Sequence, residues 1–470
     1  MAKIILSNDI SIIQTDNQEL IKFLFDSLRF RDRAYFHNPR YKAKLWDGYT
    51  NFFNKNNGKF LTGLLPEVYG VCKHMNEPVE FVDNRTKFEF AIKNIDKDFL
   101  KPYVPKGSPV ITLEDYQVEL VNQSIKNKRG IIFAPTSAGK SLTMLSILKS
   151  LPPKTKTLVL QNRKSLASQN YDEYVKWGLP NVGRIWQGFN EPNDFTVATV
   201  QSVEKAEHIL SDVQVLLVDE IHDMMSAAPK NVYRKLKKCS VRIAVSATPF
   251  KHGEKDKIQK FYVKGFFGPV FKINSAAGGI LTTKELQERG RLSKSKCIFH
   301  TIKTPSLDYE IYLDAVTKGL VENDEFHQKV VQLTMDMKGR TLILVERIAH
   351  GDSLKNLIPH AYWVRGQDNN DTRKEVIDKL QKSETCVAIA TQGIFNTGIN
   401  VFVHNLINAA GGQADHLIIQ RMGRGLRTAK DKDILNYHDF VFDINPYLYK
   451  HSKKRIKILK DQGHDVEVLD

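Results

Sequence analysis

A short segment of small residues ending in lysine and serine has the composition of a phosphate-binding loop. Ala134 to Ser141 reads APTSAGKS, between the apolar run GIIF and the helical pattern LTMLSILKS. Backbone N–H groups in such a loop and at the following helix N-terminus bind phosphate oxygens, a lysine adds a mobile cation, and a hydroxyl coordinates Mg²⁺. The segment predicts a nucleotide site, with a simple strand-to-helix turn as the alternative. Its candidate ligands are Pro135, Thr136, Ser137, Ala138, Gly139, Lys140 and Ser141, the last also as a metal ligand.

Two adjacent carboxylates follow another apolar run. VQVLLV leads directly into Asp219, Glu220, Ile221 and His222. In a parallel sheet the carboxyl ends of strands form the edge where ligands bind. There Asp219 would hold Mg²⁺ through water, while Glu220 positions and deprotonates an attacking water. The alternative, two acids stabilised at a helix start by its dipole, is weak once a phosphate loop lies upstream.

Two further segments carry polar side chains at positions where they could contact a bound nucleotide. Ser246 and Thr248 follow the next apolar run, although by themselves they would form only a local cap. Further on, Gln420, Arg424 and Arg427 lie in QRMGRGLR, where arginines three apart share one helical face. Two guanidinium groups aimed at one place suit a γ-phosphate, and arginine fingers contribute roughly 10³ to 10⁵ in rate. A solvated basic helix is the alternative.

Two series of short apolar runs must position these residues. The first comprises GIIFA, TLVLQ, FTVATV, VQVLLVDE and VRIAVSAT, and the second comprises TLILVE, AYWVRG, TCVAIAT, NLINAA and FVFDI. Amphipathic or polar stretches such as DTRKEVIDKLQK separate them. Strands that alternate with helices predict an α/β fold with parallel sheets. We therefore expect two α/β lobes.

The remaining segments are assigned by composition. Residues 1–98 do not follow the α/β rhythm and end before the proline-rich KPYVPKGSP, so we expect a separate small α+β amino-terminal domain. The other expected units are a first lobe over 99–272, a connector over 273–300, a second lobe over 301–449 and a basic tail over 450–470. The tail could touch nucleic acid, but a solvated helix face fits equally well.

The charge balance favours a polyanionic partner. Lys and Arg number 69 against 53 Asp and Glu, a net charge of +16, which points first to nucleic acid and second to anionic membranes. No apolar run is long enough to cross a bilayer and the first residues lack a secretion signal, so a cytoplasmic protein without a membrane partner is expected. The four cysteines are scattered and form no CxxC pair, which favours buried reduced thiols.

Taken in order, these motifs resemble those of the superfamily 2 DExH helicases over most of residues 110–430. Such helicases have two RecA-like lobes with one ATP site between them, and ATP with Mg²⁺ as ligands. The resemblance implies that Gln117, preceded by Tyr116, reads the adenine, that Gln420, Arg424 and Arg427 approach the γ-phosphate, and that Gly398 also contacts nucleotide. His222, Ser246 and Thr248 would couple hydrolysis to lobe movement. Ala134 stands where the usual loop has glycine, a departure common in this superfamily.

Other segments resemble the nucleic-acid-contacting motifs of the same helicases. LVLQNRKSLASQ is similar to the first such motif and TVQS to a later one, while ATQGIFNTGIN resembles the second-lobe motif that touches both strand and nucleotide. Asn400 in that last segment stands where many members have Asp. The implied contacts to backbone phosphates are Asn162, Arg163, Thr199, Gln201 and Thr391.

The amino-terminal domain combines cations with aromatic residues. Between Arg29 and Lys59 there are eight Lys or Arg against two Asp, interleaved with eight aromatic side chains. Cations can bind phosphates and aromatics can stack on bases, whereas the alternative is a core of aromatics under a solvated charged face. We expect a mixture in which the cations contact duplex phosphates: Arg31, Arg33, Arg40, Lys42 and Lys44.

The chain also resembles phage branch-migration DNA helicases of the UvsW type. They share the phrase PTSAGKS and an amino-terminal NPRY followed by WDG. This likeness implies a DNA helicase that unwinds or branch-migrates forks and recombination junctions, with single strands and branched duplexes as partners. RNA remains an alternative substrate, as does translocation on duplex without strand separation. A nucleotide-gated clamp without useful turnover is the alternative from another class. The oligomeric state is left open.

Overall fold

The computed structural model describes residues 1–135, 138–250, 256–273, 281–308, 311–368, 370–392, 402–412, 418, 422, 426 and 434–470, with side chains 370 and 371 left aside. Two compact units result, one formed by residues 1–134 and 139–274 and the other by 135–138 and 275–470. Each is considered by itself below. Parallel strands dominate both large sheets, which confirms the predicted α/β class.

A four-stranded sheet and a short hairpin begin the first unit. Its strands and helices are β1 (Ala2–Leu6), β2 (Ile10–Gln14), α1 (Gln18–Ser27), β3 (Arg29–Arg31), α2 (Pro39–Lys42), β4 (Tyr49–Asn51), β5 (Lys59–Leu61), α3 (Leu65–His74) and β6 (Val79–Asp83). The sheet has the order β5-β2-β1-β6, and β3 pairs with β4 separately. Alternate residues of β1 are buried, as expected for a strand with one face on a core. That core includes Ile4, Leu24, Phe52 and Phe53.

The first lobe follows as an eight-stranded sheet of order β10-β9-β11-β8-β12-β13-β7-β14. Its elements are α4 (Asp115–Asn127), β7 (Arg129–Phe133), α5 (Lys140–Lys149), β8 (Thr157–Gln161), α6 (Lys164–Lys176), β9 (Val182–Trp186), β10 (Phe189–Glu191), β11 (Phe195–Thr199), α7 (Val200–Val203), α8 (Glu207–Leu210), β12 (Val215–Asp219), α9 (Ala227–Lys235), β13 (Val241–Ser246), α10 (Lys257–Phe267) and β14 (Val270–Lys272). The five predicted strands are present as β7, β8, β11, β12 and β13.

The central strands of this sheet share one direction. β8, β12, β13 and β7 pair in parallel, and their residues are almost wholly buried. Strands covered on both faces read as continuous apolar runs, which explains the sequence pattern. Because all carboxyl ends lie at one edge, the segments that follow β7, β8, β11, β12 and β13 are brought to the same side of the sheet.

The second unit is built on a seven-stranded sheet of order β17-β18-β16-β19-β20-β15-β21. Its elements are α11 (Thr283–Glu288), β15 (Lys294–Ile302), α12 (Tyr312–Val316), α13 (Asp324–Asp336), β16 (Arg340–Val345), α14 (Ile348–Leu357), β17 (Tyr362–Val364), α15 (Asn370–Lys382), β18 (Cys386–Thr391), β19 (Asn405–Asn408), β20 (Ile434–Phe442), the helix Pro446–Asp461 and β21 (Asp465–Leu469). The five predicted strands of the second series are present here as well.

The structure differs from the sequence interpretation at both ends of this unit. Strand β15 falls in the stretch assigned to the connector, yet it pairs along its whole length with β20. The stretch assigned to the basic tail contains β21, which pairs with β15, and most of a helix whose Arg455 forms a buried ion pair with Asp439 at 2.9 Å. The segment was assigned to a basic tail because its many cations dominate the composition. Most of these cations lie on the solvated face of the helix, and its apolar residues form the other face.

The buried cysteines agree with the expectation of reduced thiols. All four cysteines, Cys72, Cys239, Cys297 and Cys386, are buried free thiols. Among the described residues no group of His, Cys, Asp and Glu could hold a metal through three or more of its members. In that same part of the chain, no helix combines the length and apolar character needed to cross a membrane.

Candidate nucleotide site

The predicted phosphate loop lies between β7 and α5. Lys140 is the first residue of α5, and Gly139 caps it with a φ of +74°, a conformation that favours glycine. A Cβ on Gly139 would lie 2.1 Å from the side-chain nitrogen of Gln117, so a larger residue would displace that side chain. Ser141 is exposed in the first turn of the helix, where a hydroxyl is accessible to a ligand. Thr136 and Ser137 lie outside the described residues.

Gln117 is held against this loop by the start of α4. Its side-chain oxygen accepts a hydrogen bond from the Glu114 backbone N–H at 2.9 Å, which completes a capping box. Its side-chain nitrogen lies 3.4 Å from the Gly139 carbonyl oxygen. Both Tyr116 and Gln117 are buried. The sequence separates these two residues from the phosphate loop by about one helix and one strand, and the fold brings Gln117 and Gly139 together.

The two predicted carboxylates lie at the end of β12. Asp219 is its last residue, and its side chain accepts a hydrogen bond from the Glu220 backbone N–H at 2.9 Å. Glu220 has the left-handed conformation, φ 48° and ψ 55°, which is costly for a residue with a side chain. This turn lets Glu220 face the phosphate loop, and its Oε1 lies 4.0 Å from Lys140 Nζ.

A small polar network fixes the other oxygen of Glu220. The Ser246 hydroxyl donates to Glu220 Oε2 at 3.2 Å, and His222 Nδ1 lies 3.0 Å from Ser246 Oγ and 3.3 Å from Glu220 Oε2. The Thr248 backbone N–H donates to Ser246 Oγ at 3.0 Å. The Thr248 hydroxyl is buried without a hydrogen-bond partner in the described part of the chain. Residues predicted to couple hydrolysis to movement therefore contact the carboxylate predicted to act as base.

The two carboxyl groups have opposite electrostatic environments. Burial and the neighbouring Glu220 raise the pKa of Asp219. Burial also acts to raise the pKa of Glu220, but the charge of Lys140 and the hydrogen bonds from His222 and Ser246 outweigh it and lower that pKa. A carboxylate held ionised beside a lysine can orient water, and a neighbouring acid whose charge is not fully compensated attracts a cation.

These residues fit a nucleotide with Mg²⁺. The loop has the tight glycine turn that lets backbone N–H groups approach phosphate, Lys140 supplies a cation, and Ser141 and Asp219 supply the oxygen ligands that Mg²⁺ prefers. Mg²⁺, when bound, would neutralise charge on the phosphate oxygens.

The predicted nucleic-acid contacts of the first lobe lie at the same edge of the sheet. Asn162 and Arg163 directly follow β8, and Thr199 ends β11, where its hydroxyl donates to Ser202 Oγ at 3.2 Å. Gln201 is exposed in α7. These positions lie at the edge of the sheet that carries Glu220, where Gln201 is exposed and Thr199 is buried.

Fewer of the second-lobe predictions fall in described parts of the chain. Thr391 is the last residue of β18, and its hydroxyl is buried with no hydrogen-bond partner among the described residues. Gly398, Gln420, Arg424 and Arg427 lie outside the described residues, as does Asn400. Their roles therefore stay predictions.

In the amino-terminal domain, the predicted cations lie on the surface and some of the aromatic side chains lie in the core. All five predicted phosphate contacts are exposed: Arg31, Arg33, Arg40, Lys42 and Lys44. Phe52 and Phe53 belong to the buried core, whereas half of Phe36 is exposed. The guanidinium of Arg31 lies 4.0 Å from the centre of the Tyr35 ring, so part of the aromatic content orients the cations.

One contact near the site was not anticipated. Gln259, in the first turn of α10, donates from its side-chain nitrogen to the His222 backbone carbonyl at 3.2 Å. No sequence motif marks Gln259, because α10 reads as an ordinary amphipathic helix. Its position three residues after the helix N-cap Asp256 was the only available signal.

Comparison with known proteins agrees with this geometry. The family described as Type III restriction enzyme, res subunit, matches residues 110–251, a stretch that contains Gln117, Lys140, Glu220 and Ser246. The ATP-dependent DNA helicase uvsW of Enterobacteria phage T4 is 24% identical over 97% of this chain and 96% of its own length. The chain is a helicase similar to those of superfamily 2.

Two further comparisons extend the match beyond the nucleotide site. The DNA 3'-5' translocase XPB2 of Sulfurisphaera tokodaii is 27% identical over 69% of this helicase and 80% of its own length. The crystal structure of T4 UvsW covers 100% of this chain and 99% of its own, with a TM-score of 0.50 and 21% identity. The structural likeness confirms the two-lobe fold and extends over the amino-terminal sheet.

Proposed function

We propose that this helicase uses ATP hydrolysis to move on DNA and to unwind or branch-migrate forks and recombination-type junctions. The observation that carries the proposal is the contact network around Glu220, in which one oxygen faces Lys140 and the other is bound by Ser246 and His222. Such a network links the base that activates water to the segment after the next strand. A site that only bound nucleotide would not need it.

In the proposed reaction, a water attacks the γ-phosphorus of ATP while Glu220 accepts its proton. The bond between the γ-phosphorus and the bridging oxygen breaks, and ADP and phosphate result. Lys140 stabilises the charge on the phosphate oxygens, Ser141 and Asp219 would hold Mg²⁺, and Gln117 would read the adenine. We assign Gln420, Arg424 and Arg427 to the γ-phosphate and Gly398 to the nucleotide, as the family resemblance implies.

The proposed partner is DNA with single-stranded and branched duplex regions. A net charge of +16 and five exposed amino-terminal cations favour a polyanion. The full-length similarity to a phage DNA helicase favours DNA over RNA. Opening one base pair costs about 1.4 kcal/mol in stacking, and reannealing behind the motor would make branch migration nearly balanced in pairing energy. We place this activity in the cytoplasm, that of the host cell if the gene belongs to a phage.

One set of assays tests the proposal. ATP hydrolysis and product formation would be measured with single-stranded, duplex, forked and four-way DNA, and with an RNA duplex of the same sequence as control. We expect hydrolysis to be stimulated by DNA and strand exchange to occur on forked and four-way substrates. Preference for the RNA duplex would support an RNA helicase instead. Stimulation by duplex without product would indicate a translocase, and binding without turnover would indicate a clamp.

A further inference from the structure

The amino-terminal domain is packed firmly on the first lobe through helix α10. Gly63 lies so close to this helix that a Cβ would be 2.1 Å from the Lys264 carbonyl oxygen. Lys264 forms an ion pair with Glu67 of α3 at 2.6 Å. The rings of Phe30 and Phe261 pack with centres 4.5 Å apart. Strand β3, which carries Phe30, therefore has a fixed position relative to the lobe.

A second set of contacts holds the opposite side of the domain. Asn8 donates from its side chain to the Lys237 carbonyl oxygen at 2.9 Å, and the Lys237 ammonium pairs with Asp9 at 2.9 Å. Arg129 of the lobe is buried and donates to the Asn8 backbone carbonyl oxygen as well as to that of Phe266. Contacts on two sides fix the domain against the lobe. A surface that both of them form is therefore a defined part of the fold.

Such a shared surface forms an open groove of about 710 Å³. Its walls come from β3 and the residues after it, from the segment after Glu220, and from the starts of α9 and α10. Its lining includes Arg31, Arg33, Ser226, Lys230, Lys257 and Gln259. The motifs that the sequence marked as nucleic-acid-binding do not include the lobe side of this groove.

The lining is cationic with aromatic support. Five of the residues around it are Lys or Arg and three are Asp, so the groove carries an excess of positive charge. Lys230 lies over the Tyr262 ring, with its ammonium 4.1 Å from the ring centre, and Lys257 lies 5.8 Å from the centre of Phe30. Aromatic rings beneath ammonium groups hold them in place for an anion.

One end of the groove touches the catalytic network. Gln259 lines it and donates to the His222 backbone carbonyl at 3.2 Å, and His222 in turn lies 3.3 Å from Glu220 Oε2. Gln259 also begins α10, whose later turns contact the amino-terminal domain. A ligand in the groove would therefore press on residues only one contact away from the base.

We propose that this groove binds the phosphate backbone of a single nucleic-acid strand, and that its occupation promotes ATP hydrolysis through Gln259 and His222. The inference rests on the proposed function and adds to it a binding site beside the catalytic base. Cations paired with aromatic rings along a groove are the features that bind a single strand without sequence preference. Lys42 and Lys44 line a different depression with Phe36 and Trp46, which leaves duplex contacts to that surface.

Cross-linking tests whether a strand enters the groove. Ser226 is an exposed lining residue whose side chain makes no cap hydrogen bond, and the four natural cysteines are buried, so S226C can be labelled selectively with an azidophenacyl group. We expect a labelled single-stranded oligonucleotide to cross-link at S226C at least tenfold more than at K154C. Lys154 is exposed in the loop that precedes β8, at the opposite edge of the sheet. Equal yields at both positions would overturn the proposal.

Charge removal tests the contacts themselves. K230M and K257M each keep the aliphatic stem and lose the ammonium, and K154M is the matched control. The double variant should bind single strands with a salt slope reduced by about 1.4, at ~0.7 per lost contact, and should need more oligonucleotide for half-maximal ATPase stimulation. K257M alone should give half the change in slope, which guards against misfolding of the double variant. Slopes identical to that of K154M would contradict the proposal.

Gln259→Ala tests the connection to catalysis. This variant should keep the affinity for oligonucleotide and the KM for ATP but lose up to about tenfold in the stimulated kcat, the rate equivalent of one hydrogen bond. A merely structural role would instead change affinity and thermal stability together with kcat. If wild-type protein shows no DNA stimulation at all, the proposed function itself fails. If it shows stimulation that Q259A retains in full, only the coupling through the groove fails.

Discussion

The hydroxyl of Ser246 donates a hydrogen bond of 3.2 Å to Glu220 Oε2, across 26 residues of sequence. The contact follows from sheet register, because β12 and β13 pair in parallel with Asp219 opposite Val245. The next residue along each segment, Glu220 after Asp219 and Ser246 after Val245, therefore lies beside the other at the edge of the sheet. A hydroxyl at the end of β13 is thereby bound to the carboxylate that we propose as the base.

Replacing this hydroxyl should slow hydrolysis without weakening nucleotide binding. A hydrogen bond to a charged group contributes about 1.5–3 kcal/mol, so Ser246→Ala should reduce DNA-stimulated kcat by about tenfold or more and leave the KM for ATP nearly unchanged. Ser246→Thr, which keeps the hydroxyl, is the control. A steady-state assay that gave S246A the wild-type kcat would show that the bond has no part in turnover.

Lys140 should be required for both binding and turnover. Lys140→Ala removes the cation that lies 4.0 Å from Glu220 and that faces the predicted phosphate positions. We expect nucleotide affinity to fall and hydrolysis to drop below detection. Binding of a fluorescent ATP analogue and phosphate release would be measured beside Lys154→Ala, a change on an exposed loop. Normal phosphate release by K140A would place the phosphate loop elsewhere.

Much of the fold could be predicted from the sequence, because buried parallel strands leave continuous apolar runs. All ten predicted strands are present, and the carboxylates of Asp219 and Glu220 lie where the end of β12 was expected to place them. The phosphate loop could be predicted as well, because a phosphate-binding turn requires glycine and lysine at set positions. For the strands, the two carboxylates and the loop, the local sequence pattern agrees with the position in the fold.

Other features depended on contacts that are distant in sequence. Strand β21 has an exposed, polar pattern and was assigned to a tail, yet it completes the second sheet beside β15. The packing of the amino-terminal domain on α10 involves Gly63 and Glu67, neither of which stands out by residue type. Composition cannot reveal such pairings, because they depend on shape and register rather than on local preference.

The arginines of the second lobe should act mainly on the transition state. Arg424 and Arg427 lie outside the described residues, and their assignment rests on the family resemblance. Arg424→Ala and Arg427→Ala should each reduce kcat by about 10³ or more with little change in nucleotide affinity. Lys450→Ala, on an exposed part of the helix Pro446–Asp461, is a matched control. Normal DNA-stimulated turnover in both arginine variants would remove them from the site.

Acid should destabilise the second unit through its buried histidines. Among the described residues, burial lowers the pKa of six of them: His300, His438, His451 and His464 to about 4, His350 to about 3, and His327 below its ordinary value. Unfolded histidine has a pKa of about 6.5, so the unfolded chain binds more protons as pH falls below that value. The free energy of unfolding should therefore decrease as the pH is lowered from about 6.5 to about 4.

Hydrogen exchange would locate this effect. His300 Nε2 and His438 Nδ1 lie 2.9 Å apart on β15 and β20. After correction for the intrinsic rate, amide protection in these strands should decline from pH 7 to pH 5. His438→Asn, which removes one titrating group, should flatten the decline. Protection that stayed constant over this range would mean that the histidines do not control stability.

The central claim is that Glu220 is the base of an ATPase that drives movement on DNA. The most direct measurement is ATP hydrolysis by wild type and Glu220→Gln on a forked DNA, with strand separation followed in the same reaction and nucleotide binding measured in parallel. The account predicts that E220Q binds ATP as wild type does but loses at least about 10³ in hydrolysis, and separates no strands. Hydrolysis and unwinding by E220Q at the wild-type rate would contradict it.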